Sequence, residues 1–138
     1  MKDDAVFLGT SGWIALLNTD DQLHKPAVQA WRGLASRRTV IAVTDWVIAE
    51  TGNGLSRTSR RDAFARAVQL IPTTEEFRLV IIDDILLMRA VQFYQARPDQ
   101  EWGLVDCASF VVMTDLGIRD ALTADRHYEQ AGFRCLLK

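Results

Sequence analysis

Three acidic residues, Glu50, Asp106 and Asp125, each stand next to an apolar segment of the sequence. Glu50 follows WVIA, Asp106 leads into CASFVVM, and Asp125 follows ALTA. A carboxylate in a partly buried place costs free energy unless a positive partner compensates its charge. A divalent metal is such a partner, and Mg²⁺ and Mn²⁺ are the natural candidates for oxygen ligands. The three residues are therefore candidate ligands of a divalent metal.

Taken singly, each of these acids has a plainer explanation. Asp106 lies in the first turn of a predicted helix, where a negative charge is favourable against the helix dipole. Glu50 and Asp125 are equally well explained as solvated surface charges. A shared metal site therefore requires a fold that brings the three carboxylates together.

Short strand-like runs alternate with helical patterns along the chain. This alternation predicts one α/β domain over 1–138, with three layers and a mainly parallel sheet. Ligands bind beyond the carboxyl ends of the strands in such sheets, and the three acids could converge at that edge. The predicted strands are 5–8, 39–43, 77–83, 121–124 and 134–138, and the predicted helices begin near Ser11 and cover residues around 27–34, 45–55, 57–70, 85–98, 103–115 and 127–131.

Residues at the ends of these segments predict helix caps. Thr10 or Ser11 suits the N-cap of the first helix, and Thr44 suits the N-cap of the helix that starts with DWVIAE. Gly117 follows the 103–115 segment and is a plausible C-terminal cap.

The bulk composition is that of an ordinary globular protein. The chain has 138 residues, 49% of them hydrophobic and 25% charged, and no apolar run approaches the roughly 20 residues of a membrane span. The acidic start MKDD shows no secretory signal, so we expect a cytoplasmic location. Cys107 and Cys135 lie in apolar segments and are interpreted as buried thiols.

A net charge of −2 argues against general coating of nucleic acid, but it leaves room for a local basic patch. Four arginines, Arg57, Arg60, Arg61 and Arg66, occupy one helical segment. They are interpreted either as contacts to RNA phosphates or as a solvated helix face.

Four segments of the chain resemble the signature blocks of PIN-domain ribonucleases, most closely the VapC-like toxins of toxin–antitoxin pairs. In order, these segments are VFLGTSGWIALLN, TDWVIAETGNGL, EWGLVDCASFVVMTDLGI and ALTADRHYEQAGF. The resemblance implies a PIN-like α/β/α fold and a metal-dependent endoribonuclease. Glu50, Asp106 and Asp125 would be its catalytic acids and would hold Mg²⁺ or Mn²⁺.

The resemblance also implies an RNA substrate, a cognate antitoxin and a homodimer. Arg57, Arg60 and Arg61 are the candidate RNA-binding residues. Thr123 would position the loop that carries Asp125, and His127 is interpreted as structural rather than catalytic.

One position departs from the family pattern. The first block normally ends its strand with an aspartate that binds the metal, and this chain has Gly9 there. Asp3 and Asp4 lie at the opposite end of the strand, about 16 Å away at roughly 3.3 Å per residue. The hydroxyls of Thr10 and Ser11 are nearby but neutral. We therefore expect weak metal binding and weak or no RNA cleavage.

Two alternatives remain at this point. The first is a PIN-fold module that no longer cleaves but still binds its antitoxin or RNA. The second is a phosphorylated receiver-like domain, because LVIIDD places Asp83 and Asp84 after an apolar strand. That second class needs an acid directly after strand one, and Gly9 occupies the place.

Overall fold

A single sheet of five parallel strands forms the centre of the molecule in the computed structural model, which describes residues 5–137. The strand order is β3-β2-β1-β4-β5, and every pairing is parallel. In β1, Val6 is paired with Ile41 on one side and with Asp120 on the other. The strands are β1 Val6–Leu8, β2 Ile41–Thr44, β3 Phe77–Val80, β4 Asp120–Leu122 and β5 Arg134–Cys135.

Helices connect successive strands and cover both faces of the sheet. Right-handed crossovers place the helices between β1 and β3 on one face and those between β3 and β5 on the other. The predicted three-layer α/β fold is thus confirmed. The helices are α1 Thr10–Leu17, α2 His24–Ser36, α3 Asp45–Gly54, α4 Arg61–Leu70, α5 Asp84–Ala96, α6 Leu104–Leu116 and α7 Arg126–Gln130, and a short 3-10 helix, Ile71–Thr73, follows α4.

The order in which successive strands are added to the sheet reverses between β1 and β4, although the two strands are parallel. From β1 the chain moves outward through β2 to β3, and then it crosses back to β4 on the other side of β1. Such a switch point opens a crevice at the carboxyl ends of the two strands. Gly9 follows β1 and Thr123 follows β4, so both residues border this crevice.

Local signals set several helix ends as expected. The Thr44 side chain accepts a hydrogen bond from Val47 N at 3.1 Å, which caps α3. Gly117 ends α6 with a φ of 69°, a left-handed conformation that glycine adopts without strain.

The expected N-cap of α1 is wrong. Gly9 is the N-cap, and Thr10 is the first helical residue. The Thr10 and Ser11 hydroxyls cannot cap the helix because they bond to Glu50 and Thr123 instead.

Three strands, β3, β4 and β5, end earlier than the sequence predicted, because a strand ends where its partner ends. β3 stops at Val80, which is paired with Thr44, the last residue of β2. Beyond it, Ile82 N donates to the Asp45 side chain at 2.9 Å. β4 and β5 share only two paired positions, so β5 is short as well. Asp3, Asp4 and the final residue of the predicted 134–138 strand lie outside the described residues.

The core consists of the central strands and an aromatic cluster. Phe7, Leu8, Val43 and Leu122 are fully buried on the strands. Phe110 packs edge-on against Trp102 and Tyr128 and stacks on Phe133. Cys107 and Cys135 are buried thiols, as expected. Within residues 5–137, no helix combines the length and the apolar character that crossing a membrane requires.

Candidate active site

Asp106 lies in the first turn of α6, and its carboxylate points back toward the N-terminal end of the helix. Its Oδ2 accepts a hydrogen bond from Gly103 N at 3.1 Å. Third-position acids commonly reach back to the N-cap N–H in this way. The helix end therefore fixes the carboxylate, whose side chain is 18% exposed.

Asp125 follows β4 and begins α7. Its Oδ1 accepts a hydrogen bond from His127 N at 2.9 Å, and its own N–H donates to Thr123 Oγ1 at 3.1 Å. Thr123 is fully buried, and its hydroxyl lies 2.8 Å from Ser11 Oγ. The Ser11 hydroxyl also accepts from Ala124 N at 2.9 Å. As expected, Thr123 positions the loop that carries Asp125.

His127 joins the two aspartates. Its Nδ1 lies 3.0 Å from Asp106 Oδ2 and 3.5 Å from Asp125 Oδ1. One ligand atom from each of the three residues lies within 4.8 Å of the others. Atoms that share an ion at bonds of about 2.1 Å are separated by about 3.0 Å at right angles, so the arrangement suits a divalent cation.

Glu50 lies near this cluster but is not part of it. It is exposed on α3, and its Oε1 accepts a hydrogen bond from Thr10 Oγ1 at 2.5 Å. Thr10 is the residue after Gly9, so Glu50 faces the same edge of the sheet. Of the three predicted acids, the structure brings Asp106 and Asp125 together and places Glu50 beside them.

Tyr128 is a buried residue of the site that the sequence analysis did not identify. Burial raises the pKa of its phenol, and the negative charges of Asp106, Asp125 and Glu50 raise it further, against a hydrogen bond from Ser109. The phenol is therefore neutral at physiological pH. The only signal in the sequence was an aromatic residue after His127 at an apolar position of a short helix.

Gly9 does not need to be glycine for conformational reasons. Its φ of −90° and ψ of 165° are extended values that any residue adopts. The surrounding space is limited, however. A Cβ here would lie 3.1 Å from Thr123 Cβ and 3.2 Å from the Tyr128 hydroxyl. A side chain at this position would thus point at the neighbours of Asp125 and require small shifts.

The predicted RNA-binding arginines lie on and before α4. Arg60 donates to the Thr19 hydroxyl, and Arg61 donates to Ser56 O at 2.8 Å. Arg66 pairs with Asp62. Arg57 is exposed and makes no ion pair or side-chain hydrogen bond with residues 5–137.

Arg126 is a second exposed arginine without such a partner in the described chain. It is the first residue of α7 and directly follows Asp125, so its charge stands beside the cluster. The sequence analysis missed it because a single arginine in a polar stretch carries no distinguishing pattern.

The acids proposed for a receiver-like domain lie elsewhere. Asp83 caps α5 by accepting from Leu86 N at 2.9 Å, and Asp84 is the first residue of that helix. Both follow β3, which is an edge strand of the sheet, and so they are separated from the β1–β4 crevice by β2.

Comparison with protein families gives a match over nearly the whole chain. The PIN domain family matches residues 6–134. A 23S rRNA-specific endonuclease, VapC20 of Mycobacterium tuberculosis, is 33% identical over 129 residues in two strains. The alignment covers 93% of this chain and 95% of that protein.

Two solved structures have similar folds. The crystal structure of M. tuberculosis VapC20, described as a toxin that cleaves the sarcin–ricin loop, has a TM-score of 0.82 and 30% identity, covering 94% of this chain and 96% of that one. VapBC2 from Rickettsia felis, bound to a DNA fragment from its promoter, has a TM-score of 0.67 and 12% identity, covering 95% and 96%. The second similarity concerns the fold alone.

Proposed function

The chain belongs to the PIN-domain family and is a VapC-like ribonuclease, and on that premise we propose a metal-dependent endoribonuclease whose cleavage is impaired by Gly9. One observation carries the proposal. Asp106 and Asp125 converge at the β1–β4 switch point, directly beside a strand end that has no side chain. On this proposal, the site keeps two of its acids and lacks a third on β1, where the resemblance to the family implies an aspartate.

Mg²⁺ or Mn²⁺ would bind at Asp106 and Asp125, with Glu50 nearby, and would activate a water and neutralise charge on the phosphate. Neighbouring residues of the chain would hold these two carboxylates in position. Gly103 N fixes the Asp106 carboxylate, and the pair Ser11 and Thr123 fixes the Asp125 loop.

Two further groups near the site supply neutral hydrogen-bond donors. Thr10 donates to Glu50 and holds that carboxylate toward the crevice. Tyr128 keeps its proton because burial raises the pKa of its phenol. It therefore adds no negative charge to the acids around it.

The substrate class proposed is ribosomal RNA. VapC20 is described as specific for 23S rRNA, and this chain aligns with almost all of it. The exposed guanidinium groups of Arg57 and Arg126 are available for phosphates, and Arg60 and Arg61 follow Arg57 closely in the sequence. The cytoplasm, which contains ribosomal RNA, is the corresponding location.

A cognate antitoxin and a homodimer belong to the same proposal. The antitoxin is expected because this chain is a VapC-like toxin. The dimer is supported by exposed apolar side chains, which often mark interaction surfaces. The exposed apolar side chains on β3, α5, α6 and the β3–α5 connection are Leu79, Ile81, Ile85, Met88, Tyr94 and Leu116. Light scattering should give the mass of two chains for the unmodified protein. Replacing both Ile85 and Met88 by glutamate should give the mass of one chain.

Gly9 also favours a second candidate, a PIN-fold module that binds antitoxin or RNA without cleaving. The two candidates are separated by an RNA cleavage assay with Mn²⁺. The chain is compared with Gly9→Asp and with Gly9→Asn, which matches the aspartate in size and lacks its charge. Cleavage by Gly9→Asp alone supports a nuclease disabled at one position. No cleavage by any of the three supports the binding module.

A further inference from the structure

We propose that His127 is a metal ligand in this chain, so that Asp106, Asp125 and His127 form a mixed oxygen and nitrogen site. The proposal rests on the metal-dependent function proposed above, and it adds a residue that lies outside the family's acidic set. Its consequence is a preference for Mn²⁺ and other transition metals over Mg²⁺.

The two separations that involve His127 match those of ligands on one ion, and the two carboxylates lie within 4.8 Å of each other. His127 Nδ1 is 3.0 Å from Asp106 Oδ2, close to the spacing of two neighbouring ligands at right angles. The 3.5 Å from Nδ1 to Asp125 Oδ1 corresponds to a wider angle between two ligands of the same ion. A cation between these atoms would replace the hydrogen that joins Nδ1 to the carboxylate.

The imidazole is held in this position by its own backbone. His127 N donates to Asp125 Oδ1 at 2.9 Å, so the loop that orients Asp125 also orients His127. The ring is 25% exposed, which leaves room for a cation and its waters. Binding through Nδ1 needs only the tautomer that carries its proton on Nε2.

Because Gly9 supplies no metal ligand, the Nδ1 nitrogen of His127 becomes important for metal binding. Without a carboxylate on β1, and with Glu50 bonded to Thr10 outside the cluster, only two carboxylates of residues 5–137 converge with His127. Mg²⁺ depends on oxygen ligands, whereas imidazole binds the later divalent ions well. We therefore expect Mn²⁺ to bind this chain more tightly than Mg²⁺.

Pulsed electron paramagnetic resonance on Mn²⁺ reports the ligand directly, because a coordinated imidazole gives a ¹⁴N modulation. The chain has two histidines, and in the second, His24, Nδ1 lies 2.8 Å from the backbone oxygen of Ala15. Protein without a histidine tag is needed. We expect the modulation in the unmodified chain and in the control His24→Gln, and its loss in His127→Phe, which keeps a ring without nitrogen.

Binding titrations with both metals supply the second measurement. His127→Phe should weaken Mn²⁺ binding by about tenfold and change Mg²⁺ binding much less. His127→Asn places an amide oxygen near the position of Nδ1 and should retain more Mg²⁺ affinity than Mn²⁺ affinity. Circular dichroism checks that each variant is folded.

The outcomes separate this inference from the proposed function. Mn²⁺ bound without a ¹⁴N modulation overturns the histidine ligand and leaves the acid-held metal intact. If Gly9→Asp binds Mn²⁺ and the unmodified chain does not, the histidine ligand is likewise overturned, because His127 then does not compensate for the missing carboxylate at position 9. Binding by neither protein overturns both proposals.

Discussion

The hydroxyl of Tyr128 lies 3.2 Å from the point that a Cβ on Gly9 would occupy. The end of β1 therefore faces a buried phenol that keeps its proton, since burial raises its pKa and the charges of Asp106, Asp125 and Glu50 add to the rise. A carboxylate introduced at position 9 would meet a hydrogen-bond donor on this side and negative charges on the other. The effect of this carboxylate on the stability of the protein should thus depend strongly on whether a metal is bound.

The order of stability of Gly9→Asp and Gly9→Asn should reverse when Mn²⁺ is added: the asparagine variant is the more stable without metal, and the aspartate variant is the more stable with it. Without metal, both lose about 1 kcal/mol because the new Cβ is tight against Thr123, and the aspartate loses more through repulsion from the nearby acids. With Mn²⁺, the aspartate becomes a ligand and its melting temperature should rise above that of the asparagine variant. Thermal unfolding with and without Mn²⁺ measures both orders. An equal Mn²⁺ shift in the unmodified chain and both variants would contradict a missing ligand at Gly9.

Tyr128→Phe should be coupled to Gly9→Asp. The phenol can donate to the introduced carboxylate, and a hydrogen bond to a charged group contributes about 1.5–3 kcal/mol. Urea unfolding of the two single variants and the double variant gives the coupling free energy.

The control for this cycle uses Gly9→Ala in place of Gly9→Asp. Alanine brings the same Cβ near the Tyr128 hydroxyl without an acceptor. We expect no favourable coupling there. Equal coupling in the two cycles would mean that packing, not a hydrogen bond, links the two residues.

Gly12→Ala should destabilise the fold by at least about 3 kcal/mol. A Cβ on Gly12 would lie 1.9 Å from the backbone oxygen of Leu122, where no side-chain rotation relieves the overlap. The same oxygen accepts a hydrogen bond from Gly9 N at 3.2 Å, so the contact also sets the spacing of α1 and β4 at the site.

Gly33→Ala on α2 is the matched control for that prediction. Its Cβ would have only Arg37 Nη1 at 3.5 Å, an ordinary contact. Alanine is favoured over glycine inside a helix by about 0.5–1 kcal/mol, so this variant should gain stability. Denaturant unfolding of both variants tests the contrast, and a similar loss in both would refute the close approach of α1 to β4.

Much of this architecture follows from signals that lie close together in the sequence. The caps at Thr44 and Gly117 depend on neighbouring residues only, and strand–helix alternation was enough for the parallel sheet. Asp125 was singled out because it directly follows a strand, and Asp106 because it lies beside an apolar helical segment within a block that resembles PIN-domain ribonucleases. Tyr128 and the position of His127 were beyond reach, because their roles depend on contacts across the fold with Gly9 and Asp106.

Arg57 and Arg66 give a matched pair for testing RNA binding on α4 and the turn before it. Both guanidinium groups are exposed, but Arg66 pairs with Asp62, whereas Arg57 has no such partner within residues 5–137. Arg57→Ala should therefore weaken binding and lower the salt dependence by about one counterion, while Arg66→Ala changes both little.

The measurement is a salt titration of affinity for an RNA hairpin that carries the sarcin–ricin loop, the target named for VapC20. EDTA keeps the RNA intact, so binding is observed apart from cleavage. Each phosphate contact contributes a slope of about 0.7–0.9 in log–log form, which makes the loss of one contact detectable. If the two variants behave alike, α4 and its preceding turn form a solvated face, and RNA must reach the acids by another surface, for which Arg126 beside Asp125 is the next residue to replace.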